Sequence, residues 1–357
     1  MQRDGYLILS NGTVFKGEMF GAEGQVTGEL VFTTAMTGYL EALTDPGYYG
    51  QIVIQTFPLI GNYGVIPQDF ESDKVHVKGY IVRQWCQVPS NFRCEGRLDT
   101  FLTQNGVVAL SGIDTRELTR IVRKNGVMNA RISTSPELTQ QEKQELASYK
   151  IADAVKSVTC KTSRTVGEGK YRVVIWDLGA KKGIEESLIK RDCQVIYMPA
   201  TSTAEDILAL DPDGIMLSNG PGDPDDIPEI IAQVAKVADK KIPTMGICLG
   251  HLVLAKALGG KCIKMKYGHR GENQPVKDAF GERIYITAQS HGYAVDSDNL
   301  PKGGVVSFIN VNDGTCEGIK YTDRPAFTLQ FHPEACGGPL DTEFMFDNFI
   351  DMMKEGN

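Results

Sequence analysis

The stretch Lys241-Ile-Pro-Thr-Met-Gly-Ile-Cys-Leu-Gly-His251 decides the fold of the second half of the chain. Its apolar residues 242–247 predict a short strand, and residues 251–258 predict a helix that ends at Gly259-Gly260. Cys248 lies between them in a Gly-x-Cys-x-Gly turn. Glycines beside a nucleophile let a strand pass abruptly into a helix, and the N–H groups and dipole at the helix start favour a thiolate. We therefore predict that Cys248 is a nucleophile rather than a buried structural cysteine.

The residues around this stretch alternate between strand and helix patterns. Strands are predicted at 172–176, 194–198, 214–217 and 242–247, with helices near 184–191, 204–210 and 228–238. This alternation predicts a parallel sheet covered by helices on both faces. Ligands bind such sheets at the carboxyl ends of the strands, where the cysteine turn and the loop Ser218-Asn-Gly-Pro-Gly-Asp-Pro224 both fall.

A histidine with a nearby carboxylate follows a later predicted strand, residues 326–331, in the sequence His332-Pro-Glu334. The pair suits a general base and the acid that orients it. His251 is a rival base three residues after Cys248, but it has no evident orienting acid. His291 either lines the pocket or makes a structural hydrogen bond. His269 and His76 are predicted to be structural, and no metal-binding constellation is predicted.

The composition is that of a globular protein of more than one domain. The chain has 357 residues, of which 41% are hydrophobic and 23% charged, and a formal net charge of −8. That charge argues against a nucleic-acid or membrane surface, and the short apolar runs lead us to expect neither a signal peptide nor a membrane-spanning segment. The eight cysteines show no Cys-x-x-Cys spacing, so we expect no zinc site, no disulfide framework and a cytoplasmic location.

The first half contains no nucleophile–base pair. It predicts a hairpin at Asn11-Gly12, strands at 28–34, 51–57 and 74–82, and helices at 115–124 and 137–149. The second of these helices is predicted to begin at Ser135-Pro136. We therefore expect an N-terminal domain at 1–150, a linker at 151–170 and a second domain at 171–357. The chain carries no phosphate-binding glycine motif, so nucleotide chemistry is not expected on it.

The motifs of the second half resemble those of class I (triad) glutamine amidotransferases: Gly246-Ile-Cys-Leu-Gly-His251, the Gly-Pro-Gly loop and His332-Pro-Glu334. The first half resembles the carbamoyl-phosphate synthetase small subunit family. This second likeness rests on Phe32-Thr-Thr-Ala-Met-Thr-Gly-Tyr39, Leu43-Thr-Asp-Pro46, Pro58-Leu-Ile-Gly-Asn-Tyr-Gly64 and Ser111-Gly-Ile-Asp-Thr-Arg116. In the second half, Lys266-Tyr-Gly-His-Arg-Gly-Glu-Asn-Gln-Pro-Val276 resembles the same family.

The resemblance implies an α/β protein. Its C-terminal amidotransferase domain is expected to be flavodoxin-like with a mixed, mainly parallel sheet, and its N-terminal α/β domain to dock the large subunit. The implied activity is hydrolysis of L-glutamine to glutamate and ammonia. The ammonia then passes to a separate large subunit, which carries ATP and Mg²⁺ and makes carbamoyl phosphate for pyrimidine or arginine synthesis. No cofactor or metal is expected on this chain.

The resemblance also assigns roles to single residues. Cys248 corresponds to the nucleophile, His332 to the general base and acid, and Glu334 to the orienting carboxylate. The backbone N–H groups of Gly220 and Leu249 would hold the oxyanion. The remaining glutamine contacts are expected at Ala35, Gly222, Leu252, Ser290, Gly292 and Tyr293.

Three of these positions depart from the family pattern. Leu252 stands where glutamine is common, Ser290 where asparagine is usual, and Ala35 where serine is frequent. Each change removes or shortens a polar group, and a lost hydrogen bond to a charged group is worth about 1.5–3 kcal/mol. We expect an intact catalytic triad with weaker binding of glutamine.

Two other functions stay open from the sequence. In the first, the chain is a catalytically weak docking subunit for a large subunit that uses free ammonia, which the three departures favour. In the second, the chain is a stand-alone cysteine hydrolase, and the first half would then have no role.

Overall fold

The computed structural model describes residues 3–335 and 337–356, and the chain divides into two compact units, Met1–Ala152 and Asp153–Asn357. The strands of the first unit are β1 (Arg3–Leu9), β2 (Val14–Gly21), β3 (Val26–Thr33), β4 (Gln51–Gln55), β5 (Leu59–Ile60), β6 (Gly79–Ile81), β7 (Gln84–Trp85), β8 (Val108–Ser111) and β9 (Met128–Ser133). Its helices are α1 (Tyr39–Thr44), α2 (Leu98–Gln104), α3 (Thr115–Asn125) and α4 (Gln140–Ser148).

Seven of these strands close into a barrel in the order β1-β2-β8-β6-β4-β3-β9. Strand β4 pairs in parallel with both β3 and β6, while β1 pairs antiparallel with β2 and β9. Because β4 lies inside the barrel wall, its apolar residues Ile52, Val53 and Ile54 are fully buried. Apolar residues of α1 and α2, such as Leu40 and Leu98, pack into the same unit's core.

Local signals predicted several elements of this unit correctly. The hairpin turn is confirmed at Asn11-Gly12, where Gly12 has a φ of 88° and the Asn11 side chain accepts a hydrogen bond from the Thr13 N–H at 3.0 Å. Helix α3 is confirmed as well. The Asp114 side chain caps it by accepting from the Glu117 N–H at 3.0 Å.

Two predictions for this unit were wrong in their bounds. The strand expected at 74–82 is reduced to β6, and the helix expected from residue 137 begins at Gln140. The cap of α4 is Thr139 rather than Ser135. Thr139 and Glu142 bond to each other's backbone N–H groups, and this reciprocal arrangement fixes the start of the helix.

The second unit has strands β10 (Arg164–Val166), β11 (Tyr171–Asp177), β12 (Cys193–Pro199), β13 (Gly214–Leu217), β14 (Thr244–Ile247), β15 (Cys262–Asp278), β16 (Ile284–Val295), β17 (Gly304–Asn310), β18 (Cys316–Tyr321) and β19 (Ala326–Leu329). Its helices are α5 (Ala154–Val158), α6 (Lys182–Ile189), α7 (Ala204–Leu208), α8 (Pro228–Ala238), α9 (Leu249–Ala257) and α10 (Met345–Gly356).

These strands form one mixed sheet in the order β10-β12-β11-β13-β14-β19-β18-β16-β15-β17. The five strands from β12 to β19 are parallel, and the others join them antiparallel. The mixed α/β architecture is therefore confirmed, with a parallel centre that makes up half of the sheet. The sequence predicts strands here only at 261–266 and 283–288, and both β15 and β16 extend well beyond these bounds. Strand β15 continues through register shifts after Lys264 and Gly271.

The two faces of the sheet are covered by different helices. Along β11, Val174 and Trp176 pack in the apolar cluster that contains residues of α7, α8 and α9. The alternate residues Val173 and Ile175 pack in the cluster that contains residues of α6 and α10. This alternation follows from the two-residue period of a strand.

Residues 151–170, predicted as a linker, contain α5 and β10. Strand β10 pairs with β12, and the Thr159 hydroxyl donates to the Asp177 carbonyl at 2.6 Å. Much of this segment is thus built into the second unit. In the described ranges, no helix is both long and apolar enough to cross a membrane.

Candidate active site

The candidate site is built from three neighbouring parallel strands, β13, β14 and β19. Since the strands are parallel and adjacent, their carboxyl ends meet at one edge of the sheet. The Gly-Pro-Gly loop follows β13, Cys248 follows β14, and His332 comes three residues after the end of β19. The fold therefore brings together the three motifs that the sequence singled out.

Cys248 occupies a sharp turn between β14 and α9. Its backbone has a φ of 52° and a ψ of −104°, in a region that residues with a side chain rarely adopt, and its N–H donates to the Leu329 carbonyl at 2.8 Å. A Cβ at Gly246 would lie 2.8 Å from a methyl group of Thr328, and one at Gly250 would overlap the Leu217 carbonyl. Both glycines are required because the turn packs against two neighbouring strands.

The histidine and carboxylate form a buried pair. His332 Nδ1 donates to Glu334 Oε1 at 2.7 Å, and the His332 backbone N–H donates to the Ala288 carbonyl at 2.9 Å. Both side chains are almost completely buried. With Nδ1 engaged, Nε2 is the ring nitrogen left to exchange a proton at the reacting centre.

The thiol lies beside this ring. Cys248 Sγ donates to the Ser290 carbonyl at 3.8 Å. His332 Nε2 makes no hydrogen bond of normal geometry with any residue described, yet the thiol is near enough to contribute to the raised pKa of His332. Nucleophile and base are commonly held this loosely until substrate binds.

The charges of the site determine the protonation states of His332 and Glu334. Burial is the largest influence on the pKa of His332 and lowers it, but the charge of Glu334, together with the contact to the Cys248 thiol and the hydrogen bond to Glu334, raises this pKa well above its usual 6.5. Burial also raises the pKa of Glu334, while the charges of His332 and Lys181 bring it below its usual 4.5. At neutral pH the pair is therefore an imidazolium and a carboxylate.

Lys181 is a member of the site that sequence reasoning missed. Its ammonium nitrogen lies 3.3 Å from Glu334 Oε1, and its side chain is 9% exposed. Its backbone N–H donates to the side-chain oxygen of Asn219, a residue of the Gly-Pro-Gly loop, at 3.0 Å. Lys181 follows β11, so the only signal in the sequence was its position just after a central parallel strand.

The predicted oxyanion donors lie on the two loops beside the thiol. A Cβ at Gly220 would overlap the Leu178 carbonyl and lie 2.9 Å from the Leu249 side chain, so the Gly220 backbone runs close to Leu249. Leu249 is the first residue of α9, and the N–H groups of a helix's first turn have no acceptor within the helix. Gly222 has a φ of 94°, which favours glycine.

Strand β16 forms another wall of the site. Ser290 faces the thiol through its carbonyl, and the Tyr293 hydroxyl donates to Asp223 Oδ2 at 2.7 Å, which ties β16 to the Gly-Pro-Gly loop. Gly292 lies between them. A Cβ there would be 3.3 Å from a guanidinium nitrogen of Arg270. Of these three predicted glutamine contacts, Ser290 lies beside Cys248, and Gly292 and Tyr293 follow it on the same strand. Their roles in binding glutamine remain predictions.

The two other pocket predictions lie in different surroundings. Leu252 is 3% exposed and packs in the apolar cluster on one face of the sheet. Ala35 belongs to the first unit, where it is buried after β3 and its carbonyl accepts from the Gln55 side chain at 3.1 Å. Their contact with glutamine also remains a prediction.

The rival base His251 is placed away from catalytic use. It is completely buried, and its Nδ1 shares a hydrogen bond of 2.8 Å with the Thr328 hydroxyl. Burial lowers its pKa to about 3. No carboxylate among the described residues orients its ring, so His332 is the better base.

A second histidine cluster was not expected from the sequence. His269, His291 and Glu317 have ligand atoms within 4.8 Å of one another, a donor set that suits a transition metal. The rings already bond to protein groups, however. His269 bonds to Glu317 at 3.1 Å and to Asp313 at 2.8 Å, and His291 bonds to Gln289 at 3.1 Å. The prediction of no metal constellation overlooked this group because its members are distant in sequence.

A cysteine turn, a histidine and a carboxylate arranged on such a sheet define the class I glutamine amidotransferases. The family description "Glutamine amidotransferase class-I" matches residues 174–352. The description "Carbamoyl-phosphate synthase small chain, CPSase domain" matches residues 7–132. The chain belongs to the family of carbamoyl-phosphate synthase small chains.

Several relatives match over nearly their whole length. The carbamoyl phosphate synthase small chain of Clostridium perfringens is 49% identical, covering 96% of this chain and 98% of the relative. The carbamoyl phosphate synthase small chain of Methanopyrus kandleri is 44% identical, covering 98% of this chain and 99% of the relative. Among solved structures, a glutamine amidotransferase from Thermotoga maritima is 20% identical with a TM-score of 0.39, covering 53% of this chain and 84% of that one.

Proposed function

We propose that this chain hydrolyses L-glutamine to glutamate and ammonia as the glutaminase subunit of a carbamoyl-phosphate synthase. The observation that carries the proposal is the buried 2.7 Å contact between His332 Nδ1 and Glu334, which leaves Nε2 beside the Cys248 thiol. An apolar or purely structural turn would not need a buried ion pair next to a strained cysteine.

In the first half of the reaction, Cys248 Sγ attacks the side-chain amide carbon of glutamine as a thiolate. The oxyanion that forms accepts hydrogen bonds from the backbone N–H groups of Gly220 and Leu249, and one such donor is worth about 3–4 kcal/mol of barrier. His332 then gives its Nε2 proton to the amide nitrogen. The carbon–nitrogen bond breaks, ammonia leaves, and a cysteinyl thioester remains.

In the second half, His332 acts as a base. Its neutral Nε2 takes a proton from a water molecule, and the hydroxide attacks the thioester carbon. The carbon–sulfur bond breaks, glutamate leaves, and the thiolate–imidazolium pair is restored. Glu334 holds the ring in the required tautomer throughout and stabilises the imidazolium that forms.

The ammonia is consumed on a second chain in this proposal. A large subunit with ATP, Mg²⁺ and bicarbonate would make carbamoyl phosphate, and the two chains would form a heterodimer. The family match at residues 7–132 supports this partnership, because a stand-alone hydrolase would have no use for that unit. We assign no cofactor to this chain. We also propose a cytoplasmic location, which the seven free cysteines among the described residues support.

The test is glutamate release from glutamine, with and without the large subunit and its ATP. Wild type should show release that the partner stimulates, and Cys248→Ser should lose nearly all of it because a hydroxyl is far less ionised than a thiol. Ammonia-dependent synthesis by the complex should survive in Cys248→Ser. Release that persists in Cys248→Ser would contradict the assignment of the nucleophile.

A second candidate is a docking subunit with little or no glutaminase activity. The observation that favours it is the apolar surrounding of Leu252, which offers no hydrogen bond at a position where the family commonly has glutamine. A complex that forms normally but releases no glutamate even at high glutamine concentration would support this candidate. The same assay therefore separates the two functions.

A further inference from the structure

A groove in the first unit concentrates positive charge. It has a volume of about 660 Å³ and lies where α3 meets the segments that follow β3, β4 and β6. Four guanidinium groups line it, from Arg83, Arg116, Arg120 and Arg123, together with threonine hydroxyls, and Asp114 is its only acidic lining residue. We call it the arginine groove. All four arginines are exposed, in a chain whose formal net charge is −8.

Three of the four guanidinium groups, those of Arg83, Arg116 and Arg120, are not paired with a carboxylate among the described residues. Across the described residues, Arg83, Arg116 and Arg120 form no ion pair and no side-chain hydrogen bond. Arginines elsewhere in the unit do pair, as Arg131 does with Glu142 at 2.9 Å. The carboxylate in the groove is engaged too, because it caps α3. An external anion is the partner that Arg83, Arg116 and Arg120 lack.

The positions of the arginines on α3 strengthen this reading. Arg116, Arg120 and Arg123 follow at intervals of four and three residues, so they share one face of the helix, opposite the buried Leu118 and Val122. Like charges at this spacing destabilise a helix. The stripe extends from Arg116 to Arg123, seven residue steps or about 10 Å along the helix axis. A row of carboxylates on a polypeptide matches that length better than a single small anion does.

We propose that the arginine groove binds an acidic segment of the large subunit. This inference rests on the proposed function, since that function requires the partner chain. A small anion is disfavoured because small-molecule sites enclose most of their ligand, whereas these side chains are exposed. Exposed complementary charges act mainly on the rate and specificity of docking, which suits a surface that must find one partner.

The experiment compares Arg116→Glu/Arg120→Glu with a control of equal charge change, Lys78→Glu/Lys143→Glu. The two lysines are exposed in the same unit but do not line the groove. Association with the purified large subunit is followed by stopped flow from low to physiological salt. The arginine variant should associate at least about 10-fold more slowly than the control at low salt, with a weaker salt dependence. Its thermal midpoint and its glutaminase activity without the partner should match those of wild type, which shows that it is folded.

Three results would overturn the inference. The first is an association rate and salt slope of the arginine variant equal to those of the control. The second is stoichiometric binding of inorganic phosphate or citrate in the groove, measured by calorimetry on the chain alone and lost in the arginine variant. The third is failure of wild type itself to associate with the large subunit. Only this third result would also remove the proposed function, so the two failures are distinguishable.

Discussion

Replacing Glu334 with glutamine tests the electrostatic coupling within the triad. Burial is the largest influence on the pKa of His332 and lowers it, and the charge of Glu334 is the largest influence that raises it. Lys181 lowers it further, by more than the contact with the Cys248 thiol raises it. Without the charge of Glu334, the remaining influences leave the pKa of His332 below 6.5. The substitution therefore moves this pKa from above its usual value to below it.

The size of the effect follows from the fraction of imidazolium. A histidine whose pKa is 6.5 or lower is protonated in at most about 3% of molecules at pH 8. Since His332 must give a proton to the amide nitrogen before it can leave as ammonia, this loss alone lowers the rate at pH 8 by about 30-fold or more. Weaker orientation of the ring adds to it, because a triad that loses its carboxylate can lose up to about 10⁴-fold in kcat. We expect a total loss between these two figures.

The assay is glutamate release between pH 5 and 9 in the presence of the large subunit. Wild-type activity should persist through pH 8, because activity falls only as the pH rises through the raised pKa of His332. The activity of Glu334→Gln should instead fall as the pH rises, with the midpoint of this alkaline limb below about pH 7. Glu334→Asp is the matched control, since it keeps the charge but is too short for the 2.7 Å contact. It should lose kcat while it keeps the alkaline limb of wild type.

An alkaline limb of Glu334→Gln at the same pH as in wild type would refute this account of the coupling. Folding must be followed in parallel, because the substitution removes a buried carboxylate from the Lys181 ammonium. Breaking a buried ion pair in this way typically costs about 3–5 kcal/mol. The double variant Glu334→Gln/Lys181→Met should recover much of that stability without recovering the alkaline limb.

Three further predictions concern neighbouring positions. Lys181→Met removes a charge that lowers the pKa of the active-site histidine, so the alkaline limb of the pH profile should move to higher pH. Lys181→Arg keeps the charge and should leave the limb nearly in place. A shift of the limb to lower pH in Lys181→Met would contradict this prediction. Gly250→Ala places a Cβ against a backbone carbonyl of β13, so the thermal midpoint of this variant should fall further than that of Gly259→Ala. At Gly259 only the φ of 85° opposes alanine, which costs about 1 kcal/mol of stability. Equal losses in the two variants would rule out the close contact as the reason for that glycine. Leu252→Gln should lower the KM for glutamine with little change in kcat. Because the position is buried, an amide without a hydrogen-bond partner there would cost about 1–3 kcal/mol of stability. An unchanged KM would show that this side chain does not reach the substrate.

The parts of the fold that were predicted correctly depend on contacts close in sequence. The Asn11-Gly12 hairpin, the Asp114 cap and the cysteine turn each need only a few neighbouring residues to form. His332 and Glu334 belong to the same group, because only Pro333 separates them and both follow the end of β19. Because neighbouring residues determine such features, they can be predicted from a single sequence.

The errors occurred where two local signals compete or where long-range pairing decides. Thr139 replaces Ser135 as the cap of α4 because the reciprocal bonds with Glu142 outweigh a simple proline start. The long strands β15 and β16 contain glycines and charges that weaken any strand pattern, and they exist because they pair with each other. Hydrogen-bonded pairing between strands can therefore override local propensity over a dozen residues.

Lys181 shows why the chemistry of the site could not be read fully from the sequence. It lies 153 residues before Glu334, and no motif marks it. Even a correct guess that it follows a parallel strand would leave the sign of its effect open. An exposed lysine at that edge would be screened by water and would barely change the triad. Because both Lys181 and Glu334 are buried, the ammonium holds the carboxylate ionised and at the same time opposes protonation of His332. Glu334 Oε1 contacts both the imidazole and the ammonium, so the carboxylate charge raises the pKa of His332 while the Lys181 charge lowers it. The balance between these two charges sets the pH range in which His332 can protonate the departing amide nitrogen.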